Sequence, residues 1–288
     1  MMYKMHVRSC IDYCLPVYGP SLTNTQINKL DQLQYRAARL ATMTMKFTSK
    51  EKIFKDLGWE SIDQRITYLS LCLFQKIHIH DTRPLVRKCM PPLNQHPSFT
   101  RSNKIYNAYP IKDSTFLNSF FPRISKKWND LPFEVRNKDM IDFKAELGWL
   151  IKPPKIKLNN IGSKFGNSIH TQLRVGKSQL NDHLFAMRLT NTMGCLCSAP
   201  IESTEHYLLD CFLYNVERQE LYTNIAGLLM KNINKYNRQD LVSALLFGEN
   251  THDKDRYEFN KRLFKHFQNF LITTKRLCYK SKLQYCIS

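Results

Sequence analysis

Apolar residues recur at helical spacing through the first half of the chain, and most of these runs open on a recognisable cap. Thr23 and Gln26 form a Thr-x-x-Gln box, whose hydroxyl and amide side chains satisfy the backbone N–H groups that a helix start leaves without partners. Ile27, Leu30, Leu33, Ala37 and Leu40 follow as one predicted stripe, with Arg36 and Arg39 available to the other face. Thr48-x-x-Glu51 repeats the device before Ile53, Phe54 and Leu57, and Gly58 supplies a stop. Ser61-x-x-Gln64 opens the clearest helix, in which Ile62, Ile66, Leu69, Leu73 and Ile77 form one stripe.

Around Asp81 the periodicity fails. Pro84, Pro91, Pro92, Pro97 and Pro110 cut residues 81–115 into turns and extended pieces, because proline fixes φ and removes a donor. Order is expected again from Ser119 to Leu131, where Phe120, Phe121, Trp128 and Leu131 supply apolar bulk, and in a helix capped by Asp139 that groups Met140, Phe143, Leu147 and Leu150. Lys152-Pro153-Pro154-Lys155-Ile156-Lys157, followed by Asn159-Asn160 and two glycines, reads as a basic, semi-rigid spacer. The expected fold class is therefore mainly α, with two helical domains joined by a basic, proline-containing linker. The expected boundaries are a helical domain over residues 1–150, a linker over 151–166, and a helical domain over 167–288 holding a Cys/His knuckle at 193–212 and a basic C-terminal helix.

Composition supports a folded, helical chain: of 288 residues 43% are hydrophobic and 23% charged, and only 9 are glycine. No apolar run reaches the length of a membrane span, and the segment from Met1 to Cys10 carries Lys4, His6 and Arg8 without an apolar core, so neither a span nor a cleaved signal peptide is expected. An odd number of cysteines, 9, at irregular spacing argues for thiols in a reducing compartment rather than a disulfide framework. The net charge of +19 either keeps the chain soluble or marks a polyanionic partner, most simply nucleic acid.

The most specific motif is Cys195-x-Cys197-x8-His206-x4-Cys211. Three thiolates and an imidazole make a closed tetrahedral zinc site of the structural kind, with no position left for a catalytic water. Gly194 and Ser198-Ala199-Pro200 permit the tight turn that the close cysteine pair requires. Thr204-Glu205 starts a helix, and residues five apart on a regular helix diverge by about 140°. That helix must therefore end or distort near Cys211 if His206 and Cys211 share an ion. The alternative is three buried thiols and an unrelated histidine.

A second feature is the stretch from Lys261 to Lys282, which holds Lys261, Arg262, Lys265, Lys275, Arg276, Lys280 and Lys282 with no acidic residue, interleaved with Phe264, Phe267, Phe270 and Leu271. As a helix it presents an aromatic face and a basic face, suited to a packed element with a solvated side, to a phosphate backbone or to an anionic membrane surface. Two-metal nucleotidyl transfer needs adjacent carboxylates, and the chain has no Asp-Asp pair. Its closest aspartates, Asp253 and Asp255, sit among Lys254 and Arg256 at an expected helix start. P-loop, dinucleotide-binding, nucleophile-elbow and HExxH motifs are absent as well.

Several short motifs, in this order, resemble the region downstream of the polymerase palm in jockey-like non-LTR (LINE-type) retrotransposon reverse transcriptases. They are Tyr13 to Tyr18, Gln34-Tyr35-Arg36-Ala37-Ala38-Arg39, Leu57-Gly58-Trp59, Thr100-Arg101, Ser119-Phe120, Trp128-Asn129-Asp130-Leu131-Pro132 and Phe143-Lys144. Leu173-Arg174-Val175-Gly176, the Cys/His motif with Glu205 beside His206, and Arg218 resemble the knuckle-like C-terminal segment of the same proteins. The resemblance covers most of residues 10–222. It implies a thumb-like helical region and a Cys/His tail that grip RNA or DNA, with structural zinc, and no catalysis, since the palm aspartates have no counterpart in this chain. The nucleic-acid contacts expected are Arg36, Arg39, Arg174, Lys261, Arg262, Lys265, Lys275 and Arg276. The other expectation is a structural or interaction module that docks on a polymerase domain of the same element.

Overall fold

The computed structural model describes residues 3–46, 48–80, 84–94, 105–110, 113–152, 161–228, 236–249 and 254–277. Among them the secondary structure is helical and no strand forms; one isolated antiparallel bridge joins Leu93 and Tyr106. The α-helices are α1 (Arg8–Asp12), α2 (Leu15–Tyr18), α3 (Asn24–Thr42), α4 (Lys50–Leu57), α5 (Ile62–His80), α6 (Pro84–Cys89), α7 (Ser114–Leu117) and α8 (Phe120–Asn129). They continue as α9 (Phe133–Arg136), α10 (Met140–Ile151), α11 (Lys164–Arg174), α12 (Asn181–Ala186), α13 (Asn215–Ala226), α14 (Arg238–Phe247) and α15 (Lys254–Thr273). Among the described residues no helix is long and apolar enough to cross a membrane.

Two compact units result, and their boundary differs from the sequence expectation. One comprises Met1–Gln34 and Gly58–Pro154; the other comprises Tyr35–Leu57 and Lys155–Ser288. The segment Tyr35–Leu57 was expected in the domain over 1–150 but belongs with the C-terminal half. The reason is a set of polar ties that its local sequence does not announce. Asp56 accepts from Arg174 Nε at 2.6 Å and from the Thr171 hydroxyl at 3.1 Å, and Gln172 donates to the Met43 carbonyl at 2.8 Å. Of the expected linker over 151–166, residues 153–160 lie outside the described residues, as do Thr100, Arg101, Asp253, Lys280 and Lys282.

In the first unit α5 packs against α2, α8 and α10. Leu71, Phe74, Ile124, Trp128, Phe143 and Leu147 form its larger core, and Ile11, Leu15, Ile27, Ile62 and Ile66 a smaller one. At Gly19 a Cβ would lie 2.9 Å from Ile66, so only glycine fits between α2 and α5 there. Trp128 Nε1 donates to Gln75 Oε1 at 2.7 Å, and Gln75 Nε2 donates to the Arg136 carbonyl at 2.8 Å, which satisfies the buried side-chain polar groups of Trp128 and Gln75. In the second unit α15 is central, with α11, α13 and α14 around it, and Leu263, Phe264, Phe267, Phe270 and Leu271 face inward.

The caps follow the local sequence closely. The Thr23/Gln26 and Ser61/Gln64 boxes form reciprocally, and Asp139 accepts from the N–H groups of Ile141 and Asp142. Gly58 takes φ +59°, the left-handed stop. At α4 the cap is Ser49 rather than Thr48: its hydroxyl accepts from Lys52 N–H and donates to Glu51. The stripe on α3 is also shifted. Leu33 and Leu40 are exposed, while Asp31 and Gln34 are buried, because Asp31 accepts from Ile62 N–H and Gln34 donates to the Glu60 carbonyl. On α10, Phe143 and Leu147 are buried but Leu150 is exposed.

Candidate metal centre

Cys195, Cys197, His206 and Cys211 converge, with one donor atom from each lying within 4.8 Å of the others. Cys195 Sγ is 3.7 Å from Cys211 Sγ, and Cys197 Sγ is 3.1 Å from His206 Nε2. Two local devices produce this convergence.

The first device is the turn that carries the cysteine pair. Ser198 N–H donates to the Cys195 carbonyl at 3.0 Å, and Cys195 N–H donates to the Ala199 carbonyl at 2.9 Å. Ser198 takes φ +70°, and Glu202 N–H closes the base of the loop on the Met193 carbonyl at 2.7 Å. Both thiols therefore project from one tight loop.

The second device resolves the geometric objection raised by the five-residue spacing. Residues His206–Asp210 form a π-helix, and Cys211 N–H donates to the His206 carbonyl at 2.8 Å. An i→i+5 ring brings residues five apart nearly over one another, where an α-helix would splay them. Glu205 and Asp210 show the same alignment: one guanidinium, Arg238, bonds both, at 2.7 and 2.5 Å. That clamp is exposed and adds little stability by itself.

Two arginines support the cluster from behind. Arg218 is buried and donates to the carbonyls of Leu208 at 2.8 Å and Cys211 at 2.6 Å, groups at the C-terminal end of the π-turn. Arg276 grips Glu202 with two N–H groups, at 2.7 and 2.5 Å. Glu202, 1% exposed, also accepts from Asn181 N–H at 2.8 Å and stands 3.9 Å from the Cys195 thiol. Asn181 in turn donates to the Gly194 carbonyl at 2.5 Å. The loop holding Cys195 is thus positioned by an ion pair whose buried carboxylate, Glu202, adjoins the thiol.

Burial pushes the Cys195 thiol up to about 12 and raises that of Cys211 as well. At Cys197 burial acts in the same direction, but hydrogen bonds from the Ala199 N–H and the neighbouring thiols outweigh it and the pKa is lowered. Three thiols this close cannot all ionise together without a cation. A bound ion would take the place of the protons. The set of donors suits one four-coordinate metal ion with no open position.

The residues expected to contact nucleic acid divide into two groups. Arg36, Arg262, Lys265 and Lys275 are exposed, and Lys261 is exposed beside Glu258 at 3.2 Å. Arg39 is half-buried, with its guanidinium 5.7 Å from the centre of the Tyr35 ring. Arg174 and Arg276 correct the expectation. The Arg174 side chain is 2% exposed on Asp56, and Arg276 is committed to Glu202, so both guanidinium forks are filled by carboxylates. Tyr207 is core as well: it is fully buried, its ring packs on Tyr214 and Phe270, and its hydroxyl lies 2.7 Å from that of Thr274. Phe212 and Leu196, each next to a cysteine of the cluster, are 67% and 81% exposed.

Sequence reasoning missed Glu202 and the bracing role of Arg218. A lone carboxylate five residues after Cys197 was a signal for the first; nothing local points to its partner 74 residues away. No family model, curated protein or solved structure matches this chain.

Proposed function

We propose that the chain is a non-catalytic nucleic-acid-binding module akin to the post-palm region of a non-LTR retrotransposon reverse transcriptase, with a structural zinc ion at Cys195, Cys197, His206 and Cys211. The observation that carries the reading is the Cys3His cluster, in a chain of net charge +19. Thiolate and imidazole donors select a borderline-soft ion, and a zinc tetrahedron has edges of roughly 3.5–3.8 Å. Cys195 and Cys211 stand 3.7 Å apart, Cys197 and His206 3.1 Å, and all four donors lie within 4.8 Å of one another. Zinc would contribute on the order of 10 kcal/mol to ordering this segment. Arg36 and the exposed row Lys261, Arg262 and Lys265 on α15 supply phosphate contacts, and Phe212 offers a stacking surface beside the knuckle.

The test is RNA and DNA affinity as a function of salt. Neutralising several phosphates makes affinity fall steeply as salt rises, whereas a flat response would remove the proposal. A second reading, a module that docks on a polymerase domain, draws on Ile141 and Trp149, which are 79% and 78% exposed on α10. Its signature is solubility rescued by a palm-containing chain, independent of nucleic acid.

A further inference from the structure

The first unit contains a cavity of about 700 Å3, a volume typical of ligand-binding clefts. Its walls are α7, α8 and the extended residues 105–110. Arg123, Lys126 and Lys127 line it from one side of α8, at i, i+3 and i+4, against a single carboxylate, Asp130. Arg123 donates to the Pro20 carbonyl and Lys127 to the Thr67 hydroxyl at 2.8 Å; both acceptors are neutral and leave the charges uncompensated. Among the described residues no carboxylate pairs with any of these three cations.

The opposite wall is aromatic and fixed. Asn129 Oδ1 accepts from the N–H groups of Ile105 and Tyr106, both at 3.2 Å, and its Nδ2 donates to the Tyr106 carbonyl at 2.7 Å. One side chain thereby fastens the extended segment to α8. The Tyr106 hydroxyl is held 2.7 Å from His78 Nδ1, and the Tyr109 hydroxyl donates to the Cys89 carbonyl at 2.5 Å. Tyr109 also meets Phe116 edge-on at 5.1 Å, which holds its ring in place at the cleft. Asn107 and Asn118 line the same space with amide groups able to meet a base edge.

We infer that this cleft receives one unpaired nucleotide of a bound single strand, its phosphate against Arg123, Lys126 and Lys127 and its base against Tyr109. The inference rests on the nucleic-acid reading above. Pre-formed cations and a rigid aromatic wall supply the two things an unstacked nucleotide needs, charge neutralisation and a face to stack on.

The test uses the full chain and a single-stranded oligonucleotide carrying 5-bromouridine, with photo-crosslinked peptides located by mass spectrometry and affinity measured in parallel. The expected adduct falls on residues 105–110. Lys126→Glu, an exposed substitution that leaves the fold intact, should remove the adduct and weaken binding roughly tenfold at low salt. Adducts elsewhere, with affinity unchanged in Lys126→Glu, would overturn the cleft while leaving the nucleic-acid reading standing. Absence of salt-dependent binding by the unaltered chain would overturn both.

Discussion

The amide of Cys211 donates to the carbonyl of His206, five residues back rather than four, at 2.8 Å. That one bond aligns two side chains that a regular helix would direct apart. The π-turn is therefore the element on which the convergence of His206 and Cys211 depends, and it has an identifiable brace in Arg218.

Removing that brace should loosen the site without removing a ligand. Arg218→Met leaves the carbonyls of Leu208 and Cys211 without their donor, and such outer contacts are worth about 10–100-fold in metal affinity. Competition with a chromophoric chelator should show a weakening in this range for Arg218→Met, against complete loss of tight binding for Cys195→Ala. Unchanged affinity in Arg218→Met would separate the brace from the site.

The pair Asp56–Arg174 makes a prediction about stability. Both side chains are buried, at 5% and 2% exposure. Asp56→Ala leaves a buried guanidinium uncompensated and should destabilise the second unit by about 3–5 kcal/mol. The double substitution Asp56→Leu with Arg174→Met should cost less than the sum of the single ones. Urea denaturation of the four variants measures both quantities.

His170 predicts a pH dependence. Its Nε2 lies 2.9 Å from the Leu246 carbonyl, and the rings of Phe264 and Phe267 enclose it. Burial, with Arg174 adding to it, holds its pKa well below the ordinary histidine value. The unfolded chain then binds a proton at this residue that the folded chain does not, so stability rises with pH. The contribution is complete above the unfolded value of about 6.5 and declines as pH falls below it. Urea midpoints at pH 7.5 and 5.0 should therefore diverge in the unaltered chain, and by less in His170→Phe.

How much of this was legible in the sequence depends on how far apart the partners are. The caps at Thr23, Ser61 and Asp139 involve bonds across three residues and the stop at Gly58 a single residue's backbone conformation, and each was readable. The clustering of Cys195, Cys197, His206 and Cys211 was readable too, because three thiols and an imidazole lie within 17 residues of sequence. The α3 stripe was misread because the burial of Asp31 and Gln34 is decided by backbone groups 31 and 26 residues away. Arg174 and Arg276 were misassigned for the same reason. A guanidinium looks alike in sequence whether it awaits phosphate or already holds a carboxylate 118 or 74 residues distant. The π-turn lies between these cases: the spacing demanded a distortion, but not which one.

One metal ion is proposed to order the Cys/His segment of an otherwise helical, cationic chain. The decisive measurement is elemental analysis of the purified protein, with His206→Ala alongside. The expected result is one zinc per chain, falling to none in the variant, with tetrahedral thiolate absorption on cobalt substitution. No bound metal in the unaltered chain, together with an unchanged fold on adding chelator, would contradict it.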